Sequence, residues 1–142
     1  MGFLQESTYP EITALSEQLE HRPLTETLRW AWENFGTRAA VGTSFQGAGL
    51  VILHHAVVAG LPLPAFTLDT GLLFPETLEL KEKLEAFLGI TIENLHPERT
   101  VAQQAEEEGP ELWNRAPDLC CHLRKVVPLQ KKLATLDVWI TG

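Results

Sequence analysis

Four short apolar runs, separated by segments with helical spacing, constrain this chain more than any other feature. Arg38-Ala-Ala-Val-Gly-Thr-Ser44 ends in small polar residues, and the apolar run from Leu50 to Ala59 after it is closed by Gly60. This reads as strand, loop, helix. Ala65-Phe-Thr-Leu-Asp69 is a second strand, and Pro75 to Leu88 is a helix whose Leu80, Leu84, Phe87 and Leu88 follow the i, i+4, i+7, i+8 pattern of one apolar face. Ile90 to Leu95 makes a third strand. An acidic helix follows near Val101 to Glu108, then a Gly109-Pro110 break, then a helical segment from Asp118 to Leu136 disturbed at Pro128. Asp137-Val-Trp-Ile-Thr141 is the fourth strand. Upstream, Glu11 to Glu20 and Pro23 to Phe35 read as two helices, the second with Pro in its first turn and Gly36 as its stop. Strands that alternate with helices in this way join by right-handed crossovers into a mostly parallel, twisted sheet with helices on both faces. The expected organisation is a single α/β domain: an N-terminal helical segment over residues 1–36, then an α/β core over 37–142.

Composition agrees with a folded domain and narrows its partners. The 142 residues are 44% apolar and 21% charged, which excludes disordered, collagen-like and coiled-coil chains. A net charge of -8 argues against nucleic acid and anionic membrane, both of which need a basic footprint. A small anionic ligand is compatible with it only through local donors. The N-terminus MGFLQESTYPEI has no basic or apolar targeting region, and Leu50 to Leu63 contains two His and is too short to span a bilayer, so the cytoplasm is the expected location. Cys120 and Cys121 are adjacent, with α-carbons about 3.8 Å apart across a trans peptide, below the usual disulfide range. No structural disulfide framework is expected.

In a parallel α/β sheet, ligands bind at the carboxyl ends of strands, which selects the loop after Ser44, the loop after Asp69 and the strand end at Gly142. Thr43-Ser-Phe-Gln-Gly-Ala-Gly49 joins a strand to a helix with two glycines and two hydroxyls, resembling a phosphate cradle in which N–H groups at a helix start face an anion. It lacks the Walker Gly-Lys-Ser/Thr and the dinucleotide glycine spacing, and a plain strand-to-helix turn is an equal alternative. Asp69 offers an acceptor to a ribose or amine, and Leu68 a backbone edge; the alternative is that Asp69 and Thr70 only cap the turn. Cys120-Cys121-His122-Leu-Arg124-Lys125 opens a stretch, Leu119 to Leu136, with four basic residues and no acidic one. Arg124 and Lys125 suit an anion, while Lys131 and Lys132 read as a solvated helix face. The cysteines read either as two reduced, buried thiols or as metal ligands, of which four are normally required. His54 and His55 read as helix packing, His21 and His96 as loop residues, and the four Trp as core or interface.

Taken together and in this order, the three motifs resemble the sulfonucleotide reductases of assimilatory sulfate reduction. Ser44-Phe45-Gln46-Gly47-Ala48, Leu68-Asp69-Thr70-Gly71 with Phe74-Pro75-Glu76-Thr77, Cys120-Cys121-His122-Leu123-Arg124-Lys125-Val126 with Pro128-Leu129, and the ending Trp139-Ile140-Thr141-Gly142 carry the resemblance. It implies an adenine nucleotide α-hydrolase-like fold whose modified PP-loop, Ser44 to Ala48, embraces the phosphate or sulfate oxygens of adenosine 5′-phosphosulfate (APS) or its 3′-phosphorylated form (PAPS). Leu68, Asp69, Thr70 and Gly71 would frame the adenosine, Arg124 and Lys125 would serve the anion, and Gly142 would begin a further substrate loop. In the cysteine-pair branch, which usually prefers APS, Cys120 and Cys121 would be half the ligands of a 4Fe-4S iron–sulfur cluster, with Lys125 between cluster and substrate.

The family mechanism implied is attack of a C-terminal thiolate on the sulfate sulfur, departure of AMP, and release of sulfite by thioredoxin. The second cysteine pair, the arginine-rich loop and the nucleophilic cysteine that the family places after the last strand have no counterpart in these 142 residues. The chain is therefore expected to be truncated relative to the family, to retain the nucleotide site without a catalytic residue of its own, and to lack a complete cluster unless a homodimer pools two cysteine pairs. Dimerisation would also bury apolar sheet surface. The alternatives are a noncatalytic adenine-nucleotide module of the same fold and an adenylating ligase, against which Phe45, Gln46 and the absence of an acid at Gly49 count.

Overall fold

The computed structural model describes residues 10–142. Two helices open it, α1 (Pro10–Glu20) and α2 (Leu24–Phe35). Pro23 stands just before α2, where a missing N–H removes a donor that has no helical partner. Gly36 ends α2 at φ 54, and its N–H donates to the Trp32 carbonyl. Both helices fall inside the segment expected over 1–36; residues 1–9, and with them the N-terminal targeting reading, lie outside the described residues.

From Ala39 the chain alternates through β1 (Ala39–Gly42), α3 (Gly47–Val58), β2 (Ala65–Leu68), α4 (Pro75–Leu88) and β3 (Ile92–Leu95). A run of helices follows, α5 (Val101–Glu108), α6 (Leu112–Arg115), α7 (Pro117–Cys121) and α8 (Val127–Leu133), before β4 (Val138–Ile140). Every pairing is parallel, in the order β3-β2-β1-β4. The first two crossovers therefore step one way from β1, and the third returns to its far side. Winding reverses between β1 and β4, and the crevice outside their carboxyl ends is where such sheets accept ligands.

Register assigns the two faces. Val41 lies beside Ala65 and Ile140, and Ala65 beside Ile92; these side chains join Leu28, Ile52, Leu53 and Ala56 in the main core beneath α2 and α3. Gly42 and Phe66, also paired, point to the opposite face with Trp139. There α8 lies across the sheet, its Lys132 Nζ 5.8 Å from the centre of the Phe66 ring.

Three local features differ from the sequence-based expectation. Leu84 and Leu88 of α4 pack on the core, but Leu80 and Phe87 are 37% and 79% exposed. Successive helical residues turn by about 100°, so Phe87 points well away from a contact stripe centred between Leu84 and Leu88. His54 and His55 face solvent rather than packing, because Ile52, Leu53 and Ala56 fill the inward face of α3. The disturbance assigned to Pro128 falls one turn earlier, as a wide π-helical turn over His122–Val126 in which the Val127 N–H reaches back to the His122 carbonyl. Proline lacks an N–H and crowds the carbonyl four residues before it, here that of Arg124, so the ladder loosens upstream.

Candidate functional site

β1 passes into Thr43-Ser-Phe-Gln46 before α3 begins. Thr43 Oγ1 accepts a hydrogen bond from the Phe45 N–H at 3.0 Å, and Phe45 sits at φ 64. That left-handed conformation costs a bulky residue about 1–2 kcal/mol. The Phe45 ring is buried in the main core, and burial of such a side chain contributes about 1.5–3 kcal/mol. The core thus holds the loop bent. Gly49 lets α3 approach it, since a Cβ there would lie 2.7 Å from Thr43 Oγ1, whereas a Cβ at Gly47 would meet nothing within 4 Å beyond its chain neighbours and its own helix backbone. The first N–H groups of α3, as at any helix start, have no partner within the helix.

A cavity of about 320 Å³ lies where the carboxyl ends of β1, β2 and β4 meet this loop, the wide turn and α8. Its floor is aromatic. Phe66 and Trp139 close over Gly42, where a Cβ would come within 2.7 Å of Trp139 Nε1 and 2.9 Å of Phe66 Cζ. Thr43, Ser44, Thr67, Thr70, Thr77 and Thr141 are among the residues of its wall, as is the cationic Lys125. Shape and chemistry suit a ligand with one flat apolar part and one anionic part.

Among the residues singled out from sequence, Ser44, Phe45, Gln46, Leu68, Thr70, Lys125 and Gly142 line the cavity. Gly47 and Ala48 stand beside it in the first turn of α3. Gly142 is pressed onto that turn: a Cβ on it would lie 2.8 Å from Ala48 Cβ and 3.0 Å from Ile52 Cδ1. Asp69 and Gly71 are not in the wall. Asp69 Oδ1 accepts from the Gly71 N–H at 3.0 Å, and Thr70 Oγ1 from the Leu72 N–H at 3.2 Å, the turn-capping arrangement.

Arg124 is placed apart from its neighbour Lys125. It is 3% exposed, with Nε donating to the Thr70 carbonyl at 2.5 Å and Nη1 to the Arg99 carbonyl at 3.1 Å and Gln104 Oε1 at 3.2 Å. Burial pushes its guanidinium below the ordinary value, while the nearby Cys120 and Asp69 act in the opposite direction. Instead of facing the cavity it ties the Thr70 turn to α5. Lys131 and Lys132 are paired with Glu98 and Glu93.

The cysteine pair divides: Cys120 is buried and Cys121 exposed, both as free thiols. Among the described residues no three His, Cys, Asp or Glu side chains gather to hold a metal ion. Two thiols are half the ligand set of a 4Fe-4S cluster, so this chain's described residues do not fit a complete one.

Cavity residues that sequence reasoning left out of the site are chiefly Gly42, Phe66, Thr67 and Trp139. The alternation of strand side chains carried a usable signal, because it puts Gly42 and Phe66 on one face. Pairing of β1 with β4, which brings Trp139 over Gly42, has no local signature.

Comparison with known proteins accounts for this geometry. A family model for the phosphoadenosine phosphosulfate reductase domain matches residues 38–142. The adenosine 5′-phosphosulfate reductase of Salinibacter ruber is 43% identical over 131 residues, covering 92% of this chain and 52% of that protein. The protein of the same name from Streptomyces coelicolor is 43% identical over 142 residues, covering 97% of this chain and 59% of the relative. The chain therefore spans between half and three fifths of the length of these curated relatives. The crystal structure of phosphoadenylyl-sulfate (PAPS) reductase from Candida auris, a phosphate complex, superposes with a TM-score of 0.82 and 30% identity over 99% of this chain and 70% of that one. The parallel four-stranded sheet with its covering helices is thus a PP-loop-type α/β fold, and the chain belongs to the phosphoadenosine phosphosulfate reductase domain family.

Proposed function

We propose that this cavity binds adenosine 5′-phosphosulfate or its 3′-phosphorylated form, as part of the reduction of activated sulfate to sulfite in sulfate assimilation. One observation carries the reading: the bent Ser44–Gln46 loop that leads into α3 and Lys125 border a single cavity with an aromatic floor. Amide hydrogens and Lys125 would neutralise the phosphosulfate in a protein whose net charge of -8 otherwise repels it. Leu68 and Thr70, at the end of β2, would frame the adenosine.

In the reaction a thiolate attacks the sulfate sulfur, AMP leaves from APS or adenosine 3′,5′-bisphosphate from PAPS, and thioredoxin reduces the resulting S-sulfonate to release sulfite. Neither Cys120 nor Cys121 lines the cavity, so the role assigned to this chain is to bind and orient the nucleotide rather than to attack it. The same observation favours a second reading, a noncatalytic adenine-nucleotide module of the same fold. Thioredoxin as reductant and the cytoplasm as compartment belong to the first reading; no helix among the described residues is long and apolar enough to cross a membrane.

Calorimetry with APS, alongside a sulfite assay with reduced thioredoxin, tests the nucleotide site that both readings share. Binding without sulfite is expected. Lys125→Ala should weaken binding by about 10-fold or more, the worth of a charge-assisted hydrogen bond. Sulfite from this chain alone would overturn the binding-only role, and absence of any nucleotide binding would overturn both readings.

A further inference from the structure

We propose that Gln104 is a positioning residue that couples the Cys120 sulfur to the wall of the nucleotide cavity, through Arg124. The inference rests on the nucleotide reading above. Gln104 and Arg124 are each 3% exposed and Cys120 is 5% exposed, so the three side chains are largely withdrawn from solvent. An arginine side chain only donates, and its Nη1 lies 3.2 Å from Gln104 Oε1. That contact fixes the orientation of the amide: Oε1 faces Arg124, and Nε2 is the donor toward Cys120 Sγ, 3.7 Å away. From the other side of the guanidinium, Nε donates to the carbonyl of Thr70 at 2.5 Å, and Thr70 lines the cavity. The guanidinium also lies against the turn that contains Thr70: a Cβ on Gly71, which stands at φ 75, would come within 3.1 Å of Arg124 Nη2.

The relay therefore runs from sulfur to amide to guanidinium to cavity wall, every link a hydrogen bond between buried groups. Adding bulk to Cys120 displaces Gln104, which releases one of the acceptors of Arg124 and loosens its grip on Thr70. A nucleotide that holds Thr70 in place should in turn hold Gln104 against the sulfur. Such coupling is reciprocal by thermodynamic necessity.

The test alkylates Cys120 with iodoacetamide: the sulfur displaces iodide to form a thioether, and the thiol proton passes to solvent. Tandem mass spectrometry of the shared peptide separates Cys120 from Cys121. Saturating APS should slow modification of Cys120 by about 5-fold or more, the lower end of ordinary coupling between sites. Gln104→Glu keeps an acceptor for Arg124 and loses the donor to sulfur, so it should bind APS and lose the protection. Protection that persists in Gln104→Glu would mean that APS shields the buried thiol by stabilising the domain as a whole and not through Gln104, and would overturn the relay, as would APS binding without protection in the wild-type chain. The converse measurement uses Cys121→Ala, because the exposed Cys121 would otherwise be alkylated first: carboxamidomethylation of Cys120 in that variant should weaken APS binding, and unchanged affinity would overturn the relay. If calorimetry detects no APS binding, the nucleotide reading fails first and the relay with it.

Discussion

Gly42 shows how one missing side chain can shape a site. Phe66 and Trp139 occupy the space where its Cβ would stand, at 2.9 and 2.7 Å, and together they floor the cavity. Phe66 is 2% exposed and has no room to retreat, whereas Trp139 is 44% exposed on an edge strand and must move first. Gly42→Ala should therefore destabilise the domain by about 1–3 kcal/mol, the usual cost of overpacking, and weaken APS binding by shifting the indole. Urea unfolding with calorimetry checks both; stability and affinity equal to wild type would show that the floor is soft. Residue-level chemistry was only partly legible from sequence. The bent loop announced itself as small polar residues between an apolar run and a helix. Arg124 and Lys125 looked interchangeable, because nothing local to a pair of adjacent cations says which is buried. A wide turn placed upstream of Pro128 sends one under the Thr70 turn and the other to the cavity.

Elements were more legible than residues, because hydrophobic period and turn chemistry act over short distances. The core strands and α3 follow from their apolar runs; α4 shows the limit, since its apolar pattern overstated the face it buries. Its anchorage is partly electrostatic. Glu85 accepts from Lys81 Nζ at 2.8 Å on its own helix and from the Ile92 N–H at 2.9 Å at the start of β3. The Lys81 hydrogen bond, then the Ile92 amide, hold its carboxyl below the usual carboxylate range. A carboxyl lowered in the folded state contributes stability that is full above its unfolded value, about 4.3, and is lost as pH falls through the lower folded value. Wild-type protein should lose melting temperature on acidification below about pH 4.3 more steeply than Glu85→Gln, which keeps an acceptor for Ile92 and cannot ionise. Melting curves between pH 3 and 6 decide this; parallel pH profiles for the two proteins would remove Glu85 as an acid-sensitive tie.

At the scale of the molecule, the parallel order β3-β2-β1-β4 makes the cavity a junction between the two helix-covered faces of the sheet. The loop and α3 belong to the face packed on Leu28 and Val41, while Lys125 and Leu129 reach the cavity from the helices on the other face. Strand alternation and the crossover rule made this junction predictable in outline from sequence, but its walls depend on which strand edges meet, and the pairing of β1 with β4 is set by the whole fold. A ligand seated there contacts three strand ends and both helical layers, so its binding free energy should resist global unfolding rather than local fraying. At a free APS concentration of 100 times the dissociation constant the added stability is about 2.7 kcal/mol, which for a domain of this size corresponds to a rise in melting temperature of roughly 5–10 °C. Lys125→Ala should reduce the shift at the same APS concentration. Calorimetric binding accompanied by a shift below about 1 °C would place APS outside this junction, on a surface that unfolds independently of the sheet.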